Sequence, residues 1–277
     1  MIAPSAPREG AVGTCLVTGA SSGLGAEIAK QLARSGRAVT LVARREDRLR
    51  WLADSLAQDY NIRVDVVACD LSEPEQRRYL VAEVARRRLQ VEVLINDAGV
   101  GKAGRFPTPD TGVQLQLVRM NIEAMVDLCG VYVPQMVDGK QGAVLNVASL
   151  AAFAPIPHQA TYGATKAFVL NFTEALREEL KGTGVSVTAL CPGPMRTEFL
   201  EIAGLAESAA RVPAPLWRLI PSAEATARAG VRGMERGHRR VIPGAANRAT
   251  ATLFRLLPRG LLLPALRHIE PSRASSR

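Results

Sequence analysis

Short runs of β-branched and aliphatic residues recur along this chain, separated by segments whose apolar residues lie three and four apart, and that alternation constrains its fold more than any other feature. The runs are GTCLVTG at 13–19, AVTLVAR at 38–44, VDVVACD at 64–70, VEVLIND at 91–97, GAVLNVAS at 142–149, VSVTALC at 185–191 and the short RRVIPG at 239–244. Several lack the polar–apolar alternation of a strand with one wet face, so both faces should be covered, as in a parallel sheet flanked by helices. Helical spacing over 26–34, 46–58, 73–88, 113–137 and 162–181 supplies the crossovers. The pattern predicts an α/β chain of Rossmann type, a doubly wound, seven-stranded parallel sheet in a three-layer sandwich.

The 277 residues fit one such domain, and no repeat or break in composition divides them. We expect a flexible N-terminus over 1–11, a catalytic domain over 12–245 with a helical insertion or substrate lid at about 196–221, and a basic, Leu-rich, irregular extension over 246–277. The extension is too interrupted by Arg255, Pro258, Arg259 and Pro264 to span a bilayer, which takes about 20 apolar residues. Two readings stay open for it: packing on the domain or a neighbouring subunit, or a weak peripheral membrane contact.

The excess of 35 Lys and Arg over 26 Asp and Glu falls in clusters without interleaved aromatics, which reads as solvated helix faces and no nucleic-acid partner. Cys15, Cys69, Cys129 and Cys191 are scattered and suit reduced core positions, and the first ten residues lack the apolar core of a secretion signal, so a cytoplasmic location is expected. His158, His238 and His268 show no ligand spacing, so no metal is expected.

The first strand runs into Gly19-Ala20-Ser21-Ser22-Gly23-Leu24-Gly25 and then a helical segment. Glycines there allow a sharp turn and a close approach of backbone N–H groups to a pyrophosphate, which the positive end of the helix also favours. A plain strand-to-helix turn would use glycine similarly; position after the first strand separates the two. The second strand ends in Arg44 and Arg45, where a carboxylate would suit the ribose 2′-hydroxyl of NAD(H). Guanidinium groups suit a 2′-phosphate, so NADP(H) is expected over NAD(H). Asp70 with Leu71, and Asn96, close the third and fourth strands at the edge where ligands collect, although such residues also cap helices.

Tyr162 and Lys166 share one helix face four residues apart. A nearby ammonium is expected to bring the phenol closer to working pH, so that it can hand a proton to a carbonyl oxygen as hydride arrives. Ser149, just after the fifth strand, can hydrogen-bond the same oxygen. Asn121 lies in an otherwise apolar helix and needs a partner if buried, which a water chain to Lys166 would supply.

In Thr18 to Gly25, Asp70, Asn96-Asp97-Ala98-Gly99, Asn121, Ser149, Tyr162 with Lys166, and Pro192-Gly193-Pro194 followed by Thr197, the chain resembles the short-chain dehydrogenase/reductase family over roughly 12–245. The resemblance implies that Tyr162 is the acid/base, Ser149 orients substrate, Lys166 binds the nicotinamide ribose and lowers the Tyr162 pKa, and Asn121 supports a proton relay. It also implies that Gly19, Ser21, Ser22, Gly23, Leu24, Gly25, Arg44, Arg45, Asp70, Leu71, Asn96, Ala98, Gly99, Tyr162, Lys166, Pro192, Gly193 and Thr197 line the cofactor. Asp97 departs from the Asn usual in the family, which should alter hydrogen bonding near the fourth strand. SLAAFAPIP and YGATKAFVLNFTEALREEL are more loosely similar to 3-oxoacyl and ketosteroid-type reductases. An apolar ketone, acyl or steroid-like substrate under a lid bearing Leu200, Ile202, Leu205, Leu216, Trp217 and Leu219, and a homodimer or homotetramer, are the corresponding expectations. The alternative is a dinucleotide-binding sensor or scaffold without catalysis.

Overall fold

The computed structural model describes residues 10–104, 106, 111–210 and 220–267. These form one parallel sheet of β1 (Val12–Thr18), β2 (Val39–Ala43), β3 (Val64–Ala68), β4 (Leu89–Asn96), β5 (Gly142–Val147), β6 (Val185–Leu190) and the two-residue β7 (Arg240–Val241). Their spatial order is β3-β2-β1-β4-β5-β6-β7. Successive residues of β1 serve opposite faces, with Cys15 and Val17 in one apolar core and Leu16 in the other, all three buried. That double burial is why the run shows no alternation in sequence.

Helices α1 (Gly23–Arg34) and α2 (Glu46–Tyr60) cover one face through Ile28, Leu32, Leu49 and Leu56. On the other lie α3 (Pro74–Arg86) and, after α4 (Thr111–Val118), α5 (Ala124–Asp138) and α6 (Ala160–Glu179), contributing Leu80, Leu128 and Val169. Buried Arg77 of α3 is satisfied by Glu123, by Asp127 at 2.5 Å and by the Leu71 carbonyl at 2.9 Å, which ties α3 to α5. The chain leaves β1 towards β2 on one side, while β4 pairs on the other. Carboxyl ends of strands at such a reversal leave a crevice between them.

Two expectations need correction, that of an unbroken α-helix over 113–137 and that of an irregular extension, while the insertion is described only in part. The 113–137 segment is not one α-helix, because a π-helical turn at Arg119–Glu123 separates α4 from α5. The insertion contains only the short α7 (Glu198–Ile202) and α8 (Ala206–Ala210) among the described residues, and Leu216, Trp217 and Leu219 lie outside them, as do residues 1–9 and 268–277. The extension is not irregular. After α9 (Ala223–Glu235), which packs on α1's side of the sheet, come α10 (Ala245–Leu256) and α11 (Arg259–Arg267). Leu257 between them is extended, at φ −70° and ψ 131°, as the residue before Pro258 must be to avoid the proline ring. All four cysteines are buried and unbridged. No helix among the described residues is long and apolar enough to cross a membrane.

Candidate active site

A cleft of about 500 Å³ opens at the carboxyl ends of the central strands. Its floor at β1 depends on glycine at two points. Gly19 has φ +70°, and a Cβ there would stand 2.9 Å from the Ala98 nitrogen. A Cβ on Gly25 would stand 2.5 Å from the Gly19 carbonyl oxygen and 2.7 Å from Asp97 Oδ2. Between these strands Thr18 Oγ1 accepts the Asp97 and Ala98 N–H groups at 3.0 Å each and donates to the Ile95 carbonyl at 3.1 Å. The side chain of Ser22, the N-cap of α1, makes no capping bond, which leaves the first N–H groups of the helix for an anion.

Arg45 faces this turn. Its Nη2 donates to Ser22 Oγ at 2.8 Å and to Ser21 Oγ at 3.1 Å, while Nη1 reaches Glu198 of α7 at 2.8 Å. Arg48 also grips Glu198, and the two guanidiniums, Arg48 first, lower the Glu198 carboxyl to about 2. Arg44 pairs with Asp70 at 3.6 Å. Asp70 accepts the Ser72 N–H and hydroxyl at 2.9 and 2.7 Å, so it holds the turn into α3 as well.

Tyr162 and Lys166 stand in the first turns of α6, only 8% and 5% exposed. Lys166 Nζ donates to the Val147 carbonyl at 2.9 Å and lies 6.0 Å from the centre of the Tyr162 ring. Burial pushes the Tyr162 hydroxyl up to about 12; a hydrogen bond with Ser149 acts the other way, and the Asp97 charge adds to the rise. The expected lowering by the ammonium is not among these influences, and desolvation of the phenolate leads them. Burial also draws Lys166 down to about 8 and Asp97 up to about 7, each opposing the other's shift through its charge. A hydrogen bond from the Gly25 N–H further supports the Asp97 carboxylate. Ser149 Oγ accepts the Ala151 N–H at 3.1 Å, capping the 3₁₀ turn Leu150–Phe153.

Asn121 sits in the π-helical turn, a distortion that recurs at functional sites. Its Nδ2 donates to the Val100 carbonyl and to Thr165 Oγ1, both at 3.0 Å, and its Oδ1 accepts the Val100 N–H at 2.9 Å. The partner expected from a water chain is thus supplied by protein. Asn121 and Lys166 also share a side cavity of about 10 Å³, close to the room that one water needs.

Of the residues singled out from sequence, Gly19, Ser21, Ser22, Gly23, Leu24, Arg44, Arg45, Leu71, Ala98, Gly99, Ser149, Tyr162, Lys166, Pro192, Gly193 and Thr197 line the cleft. Gly25 and Asp70 support the lining from behind. Asn96 does not reach it: its Nδ2 donates to Asn146 Oδ1 at 2.8 Å inside the sheet, and Asn146 in turn donates to Thr173. Sequence reasoning missed Asn146, Thr165, Glu198 and Phe254. Phe254 of α10 joins Ile156, Phe199, Leu200, Ile202 and Leu205 in the apolar part of the lining. The Phe199 ring lies 5.7 Å from that of Tyr162, tilted by 45°. Among the described residues no three His, Cys, Asp or Glu gather as a metal site.

Residues 13–206 match the family model described as short chain dehydrogenase. A short chain dehydrogenase of Pseudocercospora fijiensis is 35% identical over 188 residues, covering 67% of this chain and 60% of that one. Sulfoacetaldehyde reductase 2 of Chromohalobacter salexigens is 36% identical over 189 residues, covering 66% and 73%. Among solved structures, a short-chain dehydrogenase from Sphingobium yanoikuyae in complex with NADPH superposes with a TM-score of 0.76 at 30% identity, over 96% of this chain and 100% of the other.

Proposed function

Because this chain belongs to the short-chain dehydrogenase family and is an oxidoreductase of alcohol and ketone groups, we propose that it passes a hydride between NADP(H) and the carbonyl or secondary alcohol of an apolar substrate. The observation that carries the reading is the buried Tyr162 hydroxyl, hydrogen-bonded to Ser149, beside the apolar lining at one end of a cleft whose other end presents Arg44 and Arg45. Both serines of the glycine turn and both arginines would hold the adenosine end and its 2′-phosphate, and the NADPH of the Sphingobium relative supports that choice. Leu24, Leu71, Ala98, Gly99, Pro192, Gly193 and Thr197 would bound the rest of the cofactor.

A nicotinamide cofactor bound there would supply the hydride. With its affinity for the proton raised, Tyr162 stays protonated at neutral pH and can donate from its hydroxyl to the substrate oxygen. Ser149 Oγ accepts a backbone N–H, which leaves its own hydrogen free to turn to that same oxygen, where it would stabilise the growing alkoxide. Lys166 and Asn121, facing one small cavity, form the route by which Tyr162 recovers its proton. Ile156, Leu200, Leu205 and Phe254 favour an aliphatic or ring-bearing substrate. Exposed Leu115, Val118, Val126 and Phe168 on and around α4, α5 and α6 support self-association through those helices.

A fluorescence titration with NADPH and NADH, followed by a panel of ketones with NADPH, tests this. The expected result is at least about tenfold tighter binding of NADPH and turnover that favours apolar ketones over small hydrophilic ones. Tight NADPH binding with no turnover of any ketone or alcohol would overturn the reading and return the sensor alternative.

A further inference from the structure

We infer that α10 and α11 form a docking face for an anionic bilayer surface, beside the mouth through which an apolar substrate enters the cleft. The entry route rests on the apolar-substrate reading above; the docking does not. On α10, Asn247, Ala251 and Phe254 recur at spacings of four and three and face inwards, the first two buried and the third in the cleft lining. Away from that side α10 carries Leu253 and Leu256, 51% and 77% exposed, with exposed Arg248 and Arg255 together along one flank. On α11, Leu262 is buried while Leu261 is 67% exposed between exposed Arg259 and Arg267. Residues 245–267 contain these four arginines and no acidic residue. These four form no ion pair among the described residues, whereas the arginines nearer the cleft, such as Arg44, Arg45 and Arg48, are held by carboxylates.

Water already solvates the guanidiniums, so what a docked surface adds is cover for the exposed leucines together with acceptors for the forks. An anionic interface offers phosphates for the forks and an acyl boundary for the leucines, at a depth of about 5–10 Å. The two helices, about 18 and 14 Å long, can lie in such a plane without crossing it. A second copy of the chain is the poorer occupant, since apposing two such faces would bring eight arginines together with no counter-charge from these segments, whereas the exposed apolar side chains around α4 to α6 stand beside charges of both signs, Arg119, Glu123 and Asp127. Continuity with the site comes from Phe254 on the inner side of α10 and Ile202, which lines the cleft while 58% exposed.

Flotation of the full chain with vesicles of phosphatidylcholine, alone or with about one third phosphatidylglycerol, tests the face directly. The protein should rise with the anionic vesicles only and be released by raised salt. Replacing Leu253 and Leu256 by Asp should weaken that binding at least about tenfold, and Arg255→Gln with Arg259→Gln should weaken it about fivefold per arginine. Both pairs are exposed and outside the reacting groups, so melting temperature and turnover of a water-soluble ketone should stay unchanged. The inference is overturned if the parent chain stays at the bottom with both vesicles, as it would if the face served an acidic protein, or if the Asp pair floats like the parent. A dimer that the Asp pair converts to monomer also overturns it, assigning the face to a second copy. Flotation without ketone turnover would leave the docking standing and sink only the substrate reading.

Discussion

At the Ser21–Arg45 end of the cleft the charged groups stand partly in water and are already paired: Arg44 with Asp70, and Arg45 and Arg48 with Glu198. At the Tyr162 end they are drier, Tyr162 and Lys166 being buried and Asp97 half-buried, and desolvation is the leading influence on each proton, raising Tyr162 and Asp97 and lowering Lys166. Exposed ion pairs contribute little to stability, so an incoming phosphate can exchange with them at small cost. Dry groups behave otherwise, since each change of charge is felt by its neighbours through a poor screen. One end is therefore suited to selecting an anion, the other to holding and releasing a proton, and each half of that contrast can be broken separately.

The largest effect is expected at the dry end. Lys166→Met removes the ammonium that touches the Val147 carbonyl and faces the cavity shared with Asn121. Turnover should fall by about 10² to 10⁴, read from steady-state kinetics at saturating cofactor; full activity would mean that Tyr162 recovers its proton by another route. At the wet end, Arg45→Gln should raise the NADPH dissociation constant by about 10- to 100-fold, leaving NADH binding and melting temperature unchanged. Equal weakening of both cofactors would show that Arg45 shapes the turn rather than reading the 2′-phosphate.

The smallest effect tests how the dry charges couple. The Asp97 carboxylate favours the ammonium of Lys166, and an amide would not. In Asp97→Asn, Lys166 should therefore lose its proton at lower pH than in the parent chain, where it is drawn down to about 8. The alkaline fall in kcat/KM should move towards neutral pH. A shift in the opposite direction would mean that Asp97 does not act on Lys166 through its charge.

What was legible in the sequence is what local spacing encodes. Six of the seven runs became strands of five to eight residues because covered faces leave a mark over that length, while the seventh became only the half-buried two-residue β7, and Gly19 to Gly25 became the turn because φ and close approach dictate glycine there. Tyr162 and Lys166 share a face through the helical repeat alone. Depth is not encoded by spacing, which is why the ammonium was expected to lower the phenol and burial raised it instead. Contacts distant in sequence were equally invisible: Glu198 meets Arg45 across 153 positions, and Asn121 meets Thr165 across 44. The π-helical turn hid inside an apolar run whose pattern a plain helix would share, and Phe254 lay in a tail whose first helix turns back onto the cleft.

The most direct measurement of the central claim is hydride transfer in Tyr162→Phe under single-turnover conditions, paired with an NADPH titration of the same variant. The phenyl ring fills the same buried space without the hydroxyl that Ser149 engages. Undiminished NADPH binding with transfer slowed by about 10² to 10⁴ is the predicted result. Reduction of a ketone at the parent rate by that variant would contradict the account, because the proton would then come from elsewhere.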